Sequence, residues 1–302
     1  MKFDLEGSQP LDPGESGIVV RDRRFPRGQH SEKYWMGGDP VATAWHNALS
    51  VAFPVGETFF IKTLKNYRDG VSPKLDAEIR AFIRQEINHT REHLAFNKAA
   101  RDAGYDLSGI EQRINERLAK VAHRPDIQNL AATVVLEHVT ASIARQTLTN
   151  PAYMGDCAGE LGELWRWHAI EEIEHKGVAH DTWLHATRDW SRWKRWKTKL
   201  AVGLIATANF FVGRFTDTLD LLRQDGLTGW KWKWRTLIYL FGRPGLVRRI
   251  LPAWLAFFMP GFHPWKNGDG DRELIGKYDS EFPDALMPEV AATKGADEHN
   301  HH

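Results

Sequence analysis

The chain has 302 residues, of which 42% are hydrophobic and 26% are charged, and its formal net charge is +1. This balance is typical of a globular protein of one large or two modest domains, and a net charge so near zero excludes no class of partner. The single cysteine, Cys157, excludes an internal disulfide and favours a reducing compartment. The sequence does not begin with a basic segment followed by an apolar run, so we expect a cytoplasmic location, at most peripheral to the inner face of a membrane.

Residues 1–41 are rich in glycine, proline and arginine and have no helical period, which predicts an extended arm. Within it, residues 18–20 could form a short strand. From residue 42 the spacing of apolar residues becomes helical. We therefore predict an all-α fold with a helical bundle at 42–189, a basic, tryptophan-rich helical extension at 190–266 and a tail at 267–302.

Capping and helix-breaking residues divide the bundle into four long helices. Asp39 is a suitable N-cap for the first of them, and Pro40 suits its first turn. The four long helices are predicted at about 40–67, 73–103, 126–148 and 157–189, with a short helix at 108–122 before the third. In the extension we expect amphipathic or apolar helices at about 193–217 and 246–258, and a shorter apolar run at 237–241.

The fourth long helix carries the densest group of potential metal ligands. His168, Glu172 and His175 are spaced i, i+4 and i+7, so they lie on one narrow stripe of the helix. The flanking positions are mostly apolar, and buried carboxylates are costly unless they are paired or bind a metal. Glu171 lies about 60° from His168, on the other side of the stripe from Glu172. Glu172 is the preferred ligand because it completes a Glu-x-x-His motif with His175.

The other three long helices carry matching groups. Glu86 and His89 form a second Glu-x-x-His motif, and Glu57 and Glu137 are single glutamates in apolar sequence on the first and third helices. A four-helix bundle uses this order of motifs for a di-iron or di-manganese site. Neighbouring cations need bridging carboxylates, and imidazole suits iron. The alternative, buried ion pairs and structural histidines, leaves too many buried acids with too few partners.

With His168 included, the fourth-helix motif reads His-x-x-x-Glu-x-x-His, and here the chain resembles the ferritin-like di-iron oxygenases related to p-aminobenzoate N-oxygenase. Over residues 45–265 it more closely resembles the bacterial family called predicted metal-dependent hydrolases, through segments 56–60, 85–93 and 167–176. The resemblance implies a ferritin-like four-helix bundle with a dinuclear metal site. The implied ligands are Glu57, Glu86, His89, Glu137, His168, Glu172 and His175.

Three further residues are candidates for supporting these ligands through hydrogen bonds. They are His93, Glu171 and His46. His93 lies on the same stripe as Glu86, so it could also be a ligand itself. His46 lies on nearly the same helical face as Glu57, where either packing or support of a ligand would explain it.

The C-terminal extension is strongly basic. Residues 188–249 contain fourteen lysines and arginines and only four aspartates, a local net charge of +10 interleaved with six tryptophans. Apolar helices edged by tryptophan and basic residues are typical of membrane interfaces, while the apolar run 200–215 is too short to span a bilayer. We expect residues 190–258 to contact an anionic membrane surface. The alternative is that these helices pack on the bundle. The long aliphatic runs argue against binding of nucleic acid. The sequence does not indicate an oligomeric state.

Together these features predict a di-iron carboxylate enzyme that uses O₂ to oxidise a hydrophobic small molecule, lipid-like or aromatic. Manganese or zinc could replace the two iron ions. One alternative is a two-metal hydrolase, in which the cations activate water for attack on an ester or amide. The other is an iron-binding or storage protein, against which the long C-terminal extension argues.

Overall fold

A computed structural model describes residues 18–25, 33–121, 123–154, 157, 159–266 and 270–282. Over these ranges the chain is helical and contains no β-strand, which confirms the predicted all-α fold. The helices are α1 Pro40–Lys65, α2 Pro73–Asp102, α3 Ser108–Val121, α4 Asp126–Thr149, α5 Pro151–Met154, α6 Gly159–Ala186, α7 Arg192–Gln224, α8 Trp230–Leu237, α9 Leu246–Phe257 and α10 Asp271–Glu281. A π-helical turn, Ile238–Gly242, continues α8.

Helices α1, α2, α4 and α6 form a four-helix bundle. Each contacts two of the others, in the order α1, α2, α6, α4 and back to α1. Asp39 caps α1 by accepting hydrogen bonds from two backbone amides, Ser72 caps α2 through Leu75, and a proline follows each cap. The four predicted long helices are therefore present, with their ends displaced by at most three residues.

The apolar core of the bundle consists of two large clusters and a third small one between α4 and α6. On α1, Leu49 belongs to one cluster and Phe60 to the other. On α2 the corresponding residues are Phe96 and Phe82. Four buried glutamates lie between the two large clusters along their helices, so the polar centre has apolar packing on both sides: Glu57, Glu86, Glu137 and Glu172.

The extended segment 18–25 lies against α6 and delivers a buried arginine to it. The guanidinium of Arg21 donates hydrogen bonds to Glu174 and to Asp279 of α10. The backbone N–H of Arg21 donates to Glu171 at 2.8 Å, and its carbonyl oxygen accepts a hydrogen bond from Trp167. Burial alone would lower the pKa of Arg21, but these carboxylates raise it instead. The arm and α10 are thus fixed to the bundle by one ion-pair network.

The helical period of α6 predicts that Glu174 and His180 point into solvent, away from the stripe of potential ligands. This prediction is wrong, because the structure buries both side chains. Glu174 pairs with Arg21, and the imidazole of His180 packs against Phe257 and Phe262. Their partners come from segments far away in the sequence, which the helical period of α6 alone does not reveal.

The segment 267–302 is also more than a tail, because it contains α10. Asp271 at the start of α10 is buried and forms ion pairs with Lys176 and Arg145 on the bundle. Residues 283–302 lie outside the described residues, as do residues 1–17 of the predicted arm.

The extension packs on the bundle. Helix α7 runs seven residues beyond its predicted end and lies against α1 and α4, while α9 lies against α4. Trp254 of α9 donates a hydrogen bond to Thr207 of α7, and Trp196 donates to the carbonyl oxygen of Phe258. None of the helices in the described part of the chain has both the length and the hydropathy needed to cross a bilayer.

We expect Arg21→Met to destabilise the fold by about 3–5 kcal/mol, because it leaves the buried carboxylate of Glu174 without its cation. Urea denaturation followed by far-UV circular dichroism measures this. The matched control is Arg24→Met, which removes an exposed arginine from the same segment and should change the unfolding free energy by no more than about 0.5 kcal/mol. Equal effects of the two variants would contradict the assigned role of Arg21.

Candidate metal centre

Four buried side chains from α2 and α6 form a first group of potential ligands. They are Glu86, His89, Glu172 and His175, and each offers an atom within 4.8 Å of the others. His89 Nδ1 lies 3.6 Å from Glu86 Oε2, and His175 Nδ1 lies 3.4 Å from Glu86 Oε1 and 3.6 Å from Glu172 Oε1. The i, i+3 spacing keeps the two residues of each motif on one helical face, so the two motifs meet across the bundle.

A second group joins the first through Glu172. Glu57, His93 and His168 are all buried and also offer atoms within 4.8 Å of one another. The Nε2 atom of His168 lies 3.0 Å from Glu172 Oε1, and its Nδ1 atom lies 2.7 Å from His93 Nε2. His93 therefore lies among the potential ligands themselves and not only behind them.

Glu137 on α4 lies beside the first group without belonging to either one. Its Oε2 atom is 3.7 Å from His175 Nδ1, and neither of its carboxylate oxygens has a hydrogen-bond partner. The side chain is fully buried, so it is available to a cation bound near His175.

Hydrogen bonds outside the cluster orient two of its imidazoles. Gln85 donates from its amide nitrogen to Val19 and Glu174, so its oxygen accepts the Nε2–H of His175 at 3.0 Å. This leaves Nδ1 of His175 as a free lone pair aimed at the carboxylates. His89 Nε2 contacts Glu171 in the same way, at 2.9 Å.

The sequence placed Glu171 in a supporting role but missed Gln85. The only available signal was its position directly before the Glu-x-x-His motif of α2, and that position alone does not predict a hydrogen bond to another helix. The structure places His46 elsewhere, in an aromatic cluster where its Nδ1 lies 2.9 Å from Ala42 O and its ring lies 4.8 Å from that of Trp165. His46 is outside both groups of potential ligands.

The cluster contains many buried polar atoms that lack a hydrogen-bond partner. These atoms are Glu57 Oε1, both carboxylate oxygens of Glu86 and of Glu137, Glu172 Oε2, His89 Nδ1 and His175 Nδ1. Nearly all buried polar groups in native proteins have a partner. All these atoms have lone pairs for a cation, so the cluster fits a bound metal ion.

Burial also shapes the protonation of the cluster. It raises the pKa of Glu57, Glu86 and Glu137 and lowers the pKa of His89, because charged forms are poorly solvated there. Neutral imidazoles are the form that binds metals. Burial acts in the same direction on Glu172, but the hydrogen bond with His168 and the proximity of His175 outweigh it and hold the pKa of Glu172 well below its usual range.

The charge of the donor set matches two divalent cations. When deprotonated, the four glutamates Glu57, Glu86, Glu137 and Glu172 supply four negative charges, which two divalent ions would neutralise. Carboxylate oxygen together with imidazole nitrogen suits iron, manganese or zinc. The residues present therefore fit a dinuclear centre, and the donor set does not by itself select one metal.

A cavity of about 210 Å³ lies beside the cluster, between α1, α3, α4 and α7. Glu57 and Glu172 form part of its wall, which places two potential ligands in contact with the cavity. Most of the remaining wall is apolar, including Phe53, Leu136 and Phe210. A small molecule in this cavity would be adjacent to the buried centre.

The fold and the cluster define an all-helical protein whose buried His/Glu centre could hold two metal ions. Residues 19–268 match a family model described as "Predicted metal-dependent hydrolase", and the chain belongs to that family. Membership indicates a metal-dependent enzyme. No curated protein and no solved structure matches the chain, so the further resemblance to ferritin-like di-iron oxygenases stays a prediction.

Substitution of the adjacent glutamates Glu171 and Glu172 separates ligation from support. We expect Glu172→Gln to lower the metal content of the purified protein, because Glu172 contacts both groups. Glu171→Gln should retain the metals but bind them roughly 10–100-fold more weakly, because it only orients His89. Metal analysis and chelator competition measure the two effects. The reverse order of effects would show that Glu171 is the ligand.

Proposed function

We propose that the protein is a di-iron enzyme that oxidises a hydrophobic small molecule with O₂. The observation that carries the proposal is the contact between the cluster of unpartnered ligand atoms and an apolar cavity. In this proposal the metal ligands are Glu57, Glu86, His89, His93, Glu137, His168, Glu172 and His175. Two bound iron ions would supply the electrons and the coordination sites that reduction of O₂ requires.

The residues of the chain have three tasks in this reaction. Glu172 lies between the two ligand groups and would contribute to holding both metal ions. Gln85 and Glu171 hold His175 and His89 with their Nδ1 lone pairs inward. The apolar cavity wall, with Phe53 as an example, excludes water and keeps the substrate against the centre.

Hydrolysis is the second candidate, and the family description favours it. The same donor set could hold two ions that activate water for attack on an ester or amide. Against this, the cavity beside the centre is largely apolar, whereas attack by water needs polar groups that position both water and the scissile bond. We therefore rank oxidation first and hydrolysis second.

Oxygen uptake distinguishes the two reactions. Protein loaded anaerobically with Fe(II) should hold two iron ions per chain and should consume O₂ in an oxygen electrode, whereas the zinc-loaded form should not. Glu86→Ala should abolish both iron binding and O₂ uptake, since Glu86 contacts His89 and His175. Cleavage of p-nitrophenyl esters by the zinc or manganese form without O₂ uptake would establish the hydrolase instead, and many irons per chain would indicate storage.

We also propose that α7, α8 and α9 dock on an anionic membrane surface. Of the twelve large apolar side chains that are exposed in the described residues, eleven lie between residues 193 and 259. On α7 four of them, Trp193, Leu204, Ile205 and Val212, lie within about 120° around the helix axis. Between residues 200 and 213 α7 carries no charged residue. A water-exposed apolar face of this kind marks an interaction site.

The charge around this face selects its partner. Lys197 lies at one end of the α7 face, and Lys231 and Lys233 on α8 are exposed beside Trp230 and Trp234. Lysine and tryptophan next to exposed aliphatic side chains suit the headgroup region of an anionic membrane, where each basic residue contributes about 1 kcal/mol. The exposed apolar side chains and the neighbouring lysines together support peripheral attachment of the protein to a membrane.

Co-sedimentation with vesicles tests the docking face. The protein should bind vesicles of phosphatidylcholine mixed with phosphatidylglycerol, and binding should weaken at high salt and without phosphatidylglycerol. Leu204→Glu should lower binding roughly tenfold, because it removes apolar contact and adds a repelled charge. The matched control is Leu94→Glu, an equally exposed leucine on α2. A dimer disrupted by Leu204→Glu, together with no vesicle binding, would assign this face to a second copy of the chain.

A further inference from the structure

The cavity beside the metal centre has a basic end that the proposed oxidation does not require. Three arginines line it, Arg117 on α3, Arg124 after α3 and Arg214 on α7. Arg214 is 4% exposed, and its Nε atom has no hydrogen-bond partner. The guanidinium of Arg117 lies directly against Gly213, where any side chain would collide with it.

The nearby carboxylates do not neutralise this group of arginines. Asp217 pairs with Arg214 and with Arg113, and Asp220 pairs with Arg113 and with Arg223. No carboxylate lies within ion-pair distance of Arg117 in the part of the chain that the structure describes. Burial, together with the neighbouring guanidiniums, lowers the pKa of Arg214 to about 10. The arginines of the basic end therefore outnumber the carboxylates that pair with them.

The arginines and the glutamates of the metal centre come from different elements of the cavity wall. Glu57 projects from α1 and Glu172 from α6 within the four-helix bundle, whereas Arg117 comes from α3, which lies outside the bundle against α1 and α7. The wall also includes the apolar side chains of Leu118 and Phe210. A cavity of about 150 Å³ holds a benzene ring, so about 210 Å³ is room for a small ring or a short alkyl chain.

We infer that this cavity binds an amphiphile with a single anionic head group, which Arg117 and Arg214 hold, and an apolar body that extends toward Glu57 and Glu172. A carboxylate and a monoalkyl phosphate share this chemistry, since guanidinium groups bind either in a bidentate manner. The reacting position then lies on the apolar body, away from the head group. The role of the cavity as a substrate site rests on the proposed function. Binding of the anionic head group by the arginines does not itself need a metal.

The position of the cavity fits an amphiphile of membrane origin. Ile205 on α7 is 52% exposed on the docking face and also lines the cavity. The cavity therefore borders the same surface that carries the exposed apolar side chains. A lipid-derived molecule would reach the basic end without first becoming fully hydrated.

Calorimetric titration of the zinc-loaded protein, which should consume no O₂, tests the inference independently of turnover. The probes are decanoate, decyl phosphate and the neutral decan-1-ol, all below their micelle concentrations. One or both anions should bind at least about tenfold more tightly than the alcohol, which is the contribution expected of a charge-assisted hydrogen bond. The two anions distinguish a carboxylate from a phosphate head group.

Variants locate the binding site. Arg117→Gln should lower anion affinity about tenfold and leave decan-1-ol binding unchanged, whereas Arg117→Lys should recover part of the loss. The matched control is Lys120→Gln, which removes an exposed cation from the same helix without touching the cavity and should have no effect. Gly56→Leu should lower the affinity for all three probes, because Gly56 lines the cavity and the new side chain would occupy its open space.

The inference is overturned if the anions and the alcohol bind equally, or if Arg117→Gln and Lys120→Gln have the same effect. It is also overturned if Gly56→Leu leaves binding unchanged. None of these results depends on iron or O₂. If the anions do not bind selectively but O₂ uptake is intact, the anionic substrate is excluded and the proposed oxidase function stands. If the anions bind tightly but no O₂ is consumed, the oxidase function is excluded and the anion site stands.

Discussion

The buried carboxylates at the centre of the bundle impose the main energetic constraint on this structure. Removing an ionised carboxylate from water is costly unless a cation or hydrogen bonds compensate, and Glu86 and Glu137 have neither within the described residues. The apolar clusters on both sides of the centre exclude the water that would otherwise solvate these groups. A metal ion supplies the missing compensation, so metal binding and the stability of the bundle are coupled.

A buried arginine stabilises a second set of acidic side chains beside the centre. Glu171 and Glu174 on α6 both lie against Arg21, which the extended arm brings into the interior, and Glu171 also contacts the imidazole of His89. Asp279 of α10 completes this network. The glutamates of α6 thus divide into two sets. Glu171 and Glu174 lie against the arginine, and Glu172 lies against the histidines. This division explains why one helix can bury three glutamates within four positions.

The helices outside the bundle give the centre its connection to the surroundings. Helices α3 and α7 close the cavity over Glu57 and contribute the arginines at its far end. The opposite side of α7 carries the exposed apolar face. Helix α7 therefore links the proposed docking surface, the proposed substrate site and the centre. Its residue Ile205 belongs to both the docking surface and the substrate site.

The sequence by itself determined the all-α fold, the family and the helical stripes that carry Glu57, Glu86, His89, Glu137, His168, Glu172 and His175, because helical periodicity is local and is read from spacing alone. Only the tertiary structure decided what lies next to those stripes. It brought Gln85 to His175, placed His93 beside His168, and buried Glu174 against Arg21. These pairs join segments up to 153 residues apart. Which distant segments meet depends on the packing of whole helices, and no local pattern specifies it.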